Sequence, residues 1–192
     1  MATELEWKFA ATEKAFSALK EAYEEALFPI QMETTYYDTP EGRLAARWYT
    51  LRRRMENEKS VCTLKVPEKG LGRGEYEVCC EDIAQAIPEL GMRSGTELVE
   101  LTKAGLVQVC GARFTRLCQT VAMPACTVEI ALDAGVLIGG DKTVPLCEVE
   151  VELKSGSREA VLAFSKVLAN RFQLKQETGS KFRRALALAK GE

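Results

Sequence analysis

Residues 147–156, CEVEVELKSG, alternate acidic and apolar side chains with a period of two. In an extended strand this pattern places Glu148, Glu150 and Glu152 on one face, with valine and leucine on the other. The apolar face predicts burial against a core, so the glutamates face either water or a cation. A solvated outer face is the usual explanation for one such strand, although like charges stacked along one face repel each other.

The same alternation recurs in three further segments of the chain. ELEWK near the start sets Glu4, Glu6 and Lys8 on one face, with Leu5 and Trp7 on the other. The segments GEYEVCC and TVEIALDAG place four more acidic residues in this way: Glu75, Glu77, Glu129 and Asp133. Four acidic strands in one small protein favour a shared role over a solvated surface.

Basic side chains follow the same rule of alternation. Arg52 and Arg54 share one strand face, whereas Arg53 points with the apolar residues and is predicted to lie outside. Lys65 and Arg116 lie on the polar faces of two other strands. Lys181 opens the last predicted helix, from which its side chain can reach across the mouth of a barrel. Together these residues predict a polar interior, with acidic strands on one wall and basic strands opposite.

The order of strands and helices predicts an α+β domain that spans residues 1–192 as one unit. About eight strands are most simply arranged as a closed or nearly closed antiparallel barrel with flanking helices. Helical periodicity is predicted for residues 12–28, for 81–110 with breaks at Pro88 and Gly91, for 157–172 and for a short closing segment. Thr12 and Ser157 are the predicted N-caps.

Composition excludes several classes of function. The net charge of −2 gives no overall attraction to nucleic acid. No apolar run approaches the roughly 20 residues that a membrane span needs, and no secretory signal is visible. The seven cysteines lack a CxxC pair, which indicates reduced thiols in a cytoplasmic protein. The absence of histidine excludes Ser-His-Asp and Cys-His catalysis, and together with the cysteine spacing it argues against a zinc site.

The residue types of the predicted polar interior indicate which ligands it can bind. Carboxylates without histidine or paired thiolates favour a hard divalent cation, Mg²⁺ or Mn²⁺. Arginine and lysine on the facing strands suit the oxygens of a phosphate. The glutamates are therefore predicted to face inward, toward metal, and the cations to face a polyanion.

These charged strands resemble the motifs of the CYTH family, the triphosphate tunnel metalloenzymes. ELEWK matches the ExExK motif of that family, and further motifs follow in the family's order over nearly the whole chain. They are YYDTPEGRLAARWYTLRRR, CTLKVP, RGEYEV, RFTR, VEIALDAG, CEVEVELKSG and GSKFRRALAL. The resemblance implies an eight-stranded antiparallel tunnel that binds a triphosphate with Mg²⁺ or Mn²⁺. The frequent RG after the family's SK element is RRA here, which leaves the role of the last helix open.

The resemblance also implies roles for individual residues. The metal ligands are expected among six carboxylates: Glu4, Glu6, Glu148, Glu150, Glu152 and Asp133. The substrate contacts are expected to be Lys8, Arg52, Arg54, Lys65, Arg116 and Lys181. Among these cations, Lys8, Lys65 and Arg52 are the residues predicted to act in catalysis.

The family does not fix the reaction, because one fold can support several functions. Hydrolysis of inorganic tripolyphosphate is the first hypothesis, since the charged lining lacks an evident aromatic seat for a base. Trp7 has the parity of a core residue, and Trp48 is interpreted as a packing residue. The alternatives are a class IV adenylyl cyclase, a thiamine triphosphatase and a non-catalytic polyphosphate-binding or nucleotide-binding module. Homodimer formation is left open.

Overall fold

The structure, a computed structural model, describes residues 3–24, 27–68 and 73–192, and for residues 3 and 4 it describes the backbone alone. The strands are β1 Thr3–Glu4, β2 Glu6–Ala10, β3 Phe28–Asp38, β4 Thr50–Glu56, β5 Lys59–Pro67, β6 Arg73–Cys79, β7 Val107–Ala122, β8 Cys126–Gly139, β9 Lys142–Gly156 and β10 Lys175–Gln176. The helices are α1 Glu13–Ala22, α2 Ile83–Ser94, α3 Leu98–Leu101, α4 Arg158–Phe172 and α5 Lys181–Lys190. This is a mixed α+β architecture with helices flanking a sheet, as the sequence predicts.

The described strands form one antiparallel sheet in the order β1-β6-β5-β4-β3-β7-β8-β9-β2-β10. This sheet is open, so the closed eight-stranded barrel predicted from the sequence is not what the structure shows. The N-terminal segment is divided between the two ends of the ladder. β1 pairs with β6, whereas β2 pairs with β9, and only Leu5 separates the two strands. Because the pairing changes at Leu5, no single described strand of this segment pairs with both β6 and β9.

Two apolar clusters cover the outer face of the sheet. Helices α1 and α4 pack against β8 and β9, where Ile130, Val149 and Val151 are buried. Helix α2 packs against β5, β6 and α3, in a cluster where Leu51 and Leu64 are buried. These apolar residues alternate with the charged residues of the same strands, so burying one face directs the charges to the other.

Helix α5 closes part of the inner face. Phe182 packs on Tyr36 with ring centroids 5.1 Å apart, inside a third apolar cluster that includes Phe114 and Leu137. Gly139 of β8 allows the close approach of the helix, because an added Cβ would lie 2.8 Å from the carbonyl oxygen of Ala185. The start of α5 is therefore fixed over the interior of the curled sheet.

The predicted helix ends are correct in part. The hydroxyl of Thr12 accepts from the Ala15 amide, and that of Ser157 accepts from the Ala160 amide, which confirms both N-caps. The predicted break at Pro88 is wrong, as is the one at Gly91, because α2 continues to Ser94. Packing of the buried α2 face offsets the hydrogen bond that proline cannot donate.

In the part of the chain that the structure describes, no helix combines the length and apolarity needed to cross a bilayer.

Candidate active site

The inner face of the sheet holds a cavity of about 280 Å³. Strands from both ends of the ladder contribute to its lining, so the sheet curls around it. The side chains at the cavity are Leu5, Glu6, Lys8, Tyr36, Thr50, Arg52, Arg54, Lys65, Arg73, Arg116, Glu150, Ser180, Lys181 and Phe182. All six cations that the resemblance implied as substrate contacts are in this set.

An acidic cluster forms one wall. The register of β8 and β9 sets Asp133 opposite Glu148, and Glu150 follows two residues later on the same face. Ligand oxygens of these three carboxylates lie within 4.8 Å of one another. Asp133 and Glu148 are fully buried, and Glu150 is 12% exposed. Burial of three carboxylates this close together requires nearby positive charge.

Two of the predicted substrate contacts supply that charge in the structure. The Lys181 ammonium lies 2.8 Å from Asp133 and 2.7 Å from Glu150, and it also contacts Glu148. Arg116 donates two hydrogen bonds to Asp133, of 2.8 and 2.7 Å, and a further one to Glu150. Both cations also lie over the ring of Phe114, at 5.4 and 5.9 Å from its centroid.

The pKa values follow from these contacts. Burial alone would lower the pKa of Lys181, but Glu150, Asp133 and Glu148 more than offset it and raise the value. The pKa of Arg116 rises for the same reason. Burial raises the pKa of Glu150, yet Lys181 and Arg116 outweigh it and hold the value well below the usual range. At neutral pH the wall therefore consists of fixed cations and an ionised Glu150.

The pKa of Glu148 is shifted in the opposite direction to that of Glu150. Burial raises its pKa to about 7, with Glu150 acting in the same direction and Lys181 in the opposite one. Arg184 also contacts Glu148, and it lies 3.4 Å from Glu177. Sequence reasoning missed Arg184. Its position three residues after Lys181 places it on the same face of α5, and this spacing is a signal that could have found it.

The facing wall is basic. Arg54 is buried and donates to the hydroxyl of Thr34 at 3.0 Å, while its ion pair with Glu56 is long, at 4.0 Å. Burial and then the charges of Arg52 and Arg116 lower the pKa of Arg54 to about 10. The group is still a cation at neutral pH, but its charge is costly in the ligand-free protein.

The rest of this wall contains one described acidic residue in contact with two cations. Glu75 lies 3.1 Å from Arg52 and 3.3 Å from Lys65. Arg53 lies on the opposite face, where it bonds to Ser60 and Glu81, as its parity predicted. The alternation of charges thus gave the correct face for each of the three consecutive arginines.

Strand β2 brings a third group of charges to the cavity. Lys8 lies 3.0 Å from Glu6. Burial alone would lower the pKa of Lys8, but the charge of Glu6 and its hydrogen bond offset this and raise it. Glu6 is the register partner of Glu152, which contacts Lys154 at 2.8 Å. Neither glutamate belongs to the acidic cluster, and the side chain of Glu4 lies outside the described residues.

Arg73 also lines the cavity, and it contacts the backbone of Trp48. Arg73 donates to the carbonyl oxygen of Trp48 at 2.6 Å and to the Thr50 hydroxyl at 3.3 Å. The interpretation of Trp48 as a packing residue is wrong, because 67% of it is exposed. Its position after a short 3-10 helix, Ala45–Arg47, turns the ring away from the core.

A family model of the CYTH domain matches residues 2–186. The chain belongs to the CYTH domain family. It is 31% identical over 159 residues to the inorganic triphosphatase of Haemophilus influenzae, an alignment that covers 80% of this chain and 45% of that protein. The chain thus spans less than half the length of this curated relative.

Solved structures share the fold. HpAC1 from Hippeastrum, described as a candidate adenylyl cyclase with a dominant triphosphatase activity, superposes with a TM-score of 0.65 at 20% identity, covering 98% of this chain and 95% of that one. The PH1819 protein from Pyrococcus horikoshii OT3 gives a TM-score of 0.65 at 23% identity, covering 96% and 99%. At these identities the likeness concerns the CYTH fold.

Proposed function

We propose that this protein hydrolyses inorganic tripolyphosphate to pyrophosphate and phosphate in a metal-dependent reaction. The observation that carries the proposal is the cavity in which seven lysine and arginine side chains meet a buried acidic cluster. At about 280 Å³, its volume is close to the lower end of the range for ligand pockets, roughly 300–1,000 Å³. A short chain of phosphates matches both the small volume and the concentrated positive charge. The name of the Haemophilus influenzae relative supports the same reaction.

The basic wall is proposed to bind the phosphates. Arg52, Arg54 and Lys65 project from neighbouring strands into one cavity, so they can contact successive phosphoryl groups. The guanidinium fork suits two oxygens of one phosphate, and the ammonium suits a single oxygen. An anion bound there would also compensate the buried charge of Arg54.

The acidic cluster fits a divalent cation by the chemistry of its donors. Asp133, Glu148 and Glu150 offer oxygen ligands within 4.8 Å of one another, and hard oxygen donors are the ligand type that Mg²⁺ or Mn²⁺ prefers. When bound, such a cation supplies positive charge to phosphoryl oxygens and lowers the pKa of bound water. Glu6 and Glu152 lie in register nearby on β2 and β9, so they remain candidate ligands, as does Glu4.

The chain's own cations then stabilise the charge that develops during transfer. Lys8 and Lys181 have raised pKa values, so each holds its proton and acts by electrostatic attraction. Lys8, Lys65 and Arg52 are proposed to contact the transferred phosphoryl group and the leaving pyrophosphate. In the balanced reaction the oxygen of water bonds to the terminal phosphorus, and the bridging P–O bond breaks with its electron pair staying on pyrophosphate. The protons of water pass to the phosphate products and to solvent.

The N-terminal segment is proposed to complete a tunnel. β1 and β2 pair with strands at opposite ends of the ladder, so this one segment borders both edges of the curled sheet. A triphosphate that contacts Lys8 and the basic wall together would bridge the two edges. Location in the cytoplasm, a single domain and homodimer formation remain predictions.

Phosphate release tests the proposal directly. The purified chain is mixed with tripolyphosphate, pyrophosphate or ATP, each with Mg²⁺ or Mn²⁺, and the products are followed by ³¹P NMR. We expect one phosphate and one pyrophosphate for each tripolyphosphate, and little hydrolysis of pyrophosphate. Arg52→Ala should lose most of this activity, whereas Arg53→Ala on the opposite face should keep it. Absence of tripolyphosphate turnover would refute the proposal, and cyclic AMP from ATP would favour the cyclase alternative.

A further inference from the structure

The acidic cluster is already in contact with cations of the protein itself. Lys181 and Arg116 contact its carboxylates, as described above. On Glu148, the Lys181 ammonium donates to Oε1 and the Arg184 guanidinium donates to Oε2. In the described part of the chain, three positive charges thus meet three carboxylates. A divalent cation that enters this cluster is repelled at short range by those charges, so its binding is favoured if one of them moves away.

Arg184 is the most readily displaced of these three cations. Its side chain is 27% exposed, compared with 7% for Lys181 and 13% for Arg116. Lys181 contacts all three carboxylates, and Arg116 holds Asp133 with two hydrogen bonds. The described contact of Arg184 within the cluster is to a single carboxylate, that of Glu148. Fewer contacts and greater access to water make its release less costly.

Arg184 also has an acidic partner outside the cluster. Its Nη1 atom lies 3.4 Å from Oε2 of Glu177, while its Nη2 atom contacts Glu148. Glu177 is held in place, because its Oε1 atom accepts from the Gly179 amide at 2.7 Å and its own amide donates to the carbonyl oxygen of Lys8 at 2.9 Å. The buried Nε atom of Arg184 donates to none of the described residues, so its present hydrogen bonding is incomplete. The guanidinium therefore lies between two carboxylates, and a small movement takes it from one to the other.

We propose that Arg184 is a displaceable counter-ion of the metal site, which leaves Glu148 for Glu177 when a divalent cation binds. The proposal rests on the metal dependence proposed above and adds a positioning residue that sets the metal affinity. Without metal, Arg184 compensates the buried charge of Glu148. When metal binds, it takes over that compensation, and Glu177 receives the guanidinium. One side chain thus stabilises the metal-free site and lowers its affinity for metal, because both follow from the same contact.

Calorimetric titration of the full chain with Mg²⁺ alone tests this proposal. The titration is made at least one pH unit above the Glu148 pKa of about 7, so that protons do not take the place of the cation. Arg184→Gln should bind Mg²⁺ about five- to tenfold more tightly, a gain between those of an exposed ion pair and of a buried charged hydrogen bond. Arg184→Lys keeps the charge, so it should return the affinity toward that of the unaltered chain. The matched control is Arg183→Gln on the exposed side of α5, which removes the same charge and should change the affinity less than about twofold.

Glu177→Gln tests the role of the second partner. The amide keeps the oxygen that accepts from Gly179 but loses the charge that receives Arg184. Mg²⁺ should then bind about two- to fivefold more weakly. When Glu177→Gln is combined with Arg184→Gln, the affinity should match that of Arg184→Gln alone, since Glu177 acts through Arg184. A further loss in the combined variant would mean that Glu177 attracts the metal by itself, which overturns the transfer of Arg184.

Stability and turnover separate this proposal from the hydrolysis. Without Mg²⁺, Arg184→Gln should unfold at a lower temperature than the unaltered chain, yet Mg²⁺ should raise its unfolding temperature by a larger amount. Damage to the fold would instead lower both values. Mg²⁺ affinity that is unchanged, reduced or absent in Arg184→Gln would overturn the displacement, and turnover of tripolyphosphate by the unaltered chain would leave the hydrolysis standing. Tighter Mg²⁺ binding in this variant, without any such turnover, would support the displacement and refute the hydrolysis.

Discussion

The two walls of the cavity balance their charges in different ways. On the acidic wall, Asp133, Glu148 and Glu150 are paired within the protein with Lys181, Arg116 and Arg184. On the basic wall, Arg54 is equally deep, but its ion pair with Glu56 is 4.0 Å long and its pKa is lowered to about 10. A buried cation with weak compensation gains from an anionic ligand, whereas cations that are already paired with carboxylates gain little from an anion. The difference indicates that the basic wall receives the anion.

The largest expected effect tests the compensation on the acidic wall. Lys181→Ala removes the ammonium from three carboxylates and leaves buried charge, so the free energy of unfolding should fall by about 3–5 kcal/mol. For a domain of this size the midpoint of thermal unfolding should drop by about 6–20 °C. The control is Lys190→Ala at the exposed end of the same helix, which should stay within about 0.5 kcal/mol. Equal stabilities for the two variants would mean that the carboxylates do not depend on Lys181.

The second prediction concerns the basic wall. Arg54→Ala should lower kcat/KM for tripolyphosphate about thirtyfold to a thousandfold. This loss corresponds to about 2–4 kcal/mol of transition-state binding. Its effect on the stability of the ligand-free protein should be smaller than that of Lys181→Ala, because it also removes repulsion with Arg52 and Arg116. Steady-state kinetics and denaturant unfolding measure the two quantities. The matched control is Arg53→Ala, and similar losses of activity at both positions would contradict the assignment of faces.

A third prediction separates the clustered carboxylates from other acidic residues of the same strands. Glu150→Gln keeps the side-chain shape but loses a charged ligand, so the Mg²⁺ concentration for half-maximal activity should rise about tenfold or more. Glu129→Gln is the control, because Glu129 contacts Lys154 and is not in the cluster. Titration calorimetry with Mg²⁺ alone gives an independent measure. Unchanged Mg²⁺ affinity in Glu150→Gln would exclude Glu150 as a ligand.

The smallest expected effect is a gain in substrate affinity, whereas the changes above cause losses. Glu75 is in contact with Arg52 and Lys65 on the basic wall, so Glu75→Gln should make both cations more available to a phosphate. Because these pairs are partly exposed, the KM for tripolyphosphate should fall by only about two- to fivefold. Glu81→Gln, which removes the partner of Arg53 on the outer face, should leave the KM unchanged. A higher KM in Glu75→Gln would show that Glu75 helps to orient the cations.

Much of the inner face could be predicted because strand parity is a local property. Glu148 and Glu150 on β9, and Arg52 and Arg54 on β4, point inward as the alternation of charged and apolar residues required. The valines and leucines between them face the outer clusters, and burial of that face fixes the orientation of the whole strand. The family was also evident from the order of the motifs, and the family model confirms it.

The sequence alone determined which face each charge occupies, but only the tertiary structure decided which charges meet. The contact between Lys181 and Glu148 joins residues 33 positions apart, and it depends on the docking of α5 through Phe182 and Gly139. Exposure of Trp48 depends in the same way on a loop held by Asp38 and Arg73. The physical reason is that alternation is set by the backbone within one strand, whereas register, helix docking and loop conformation are set by packing between distant segments.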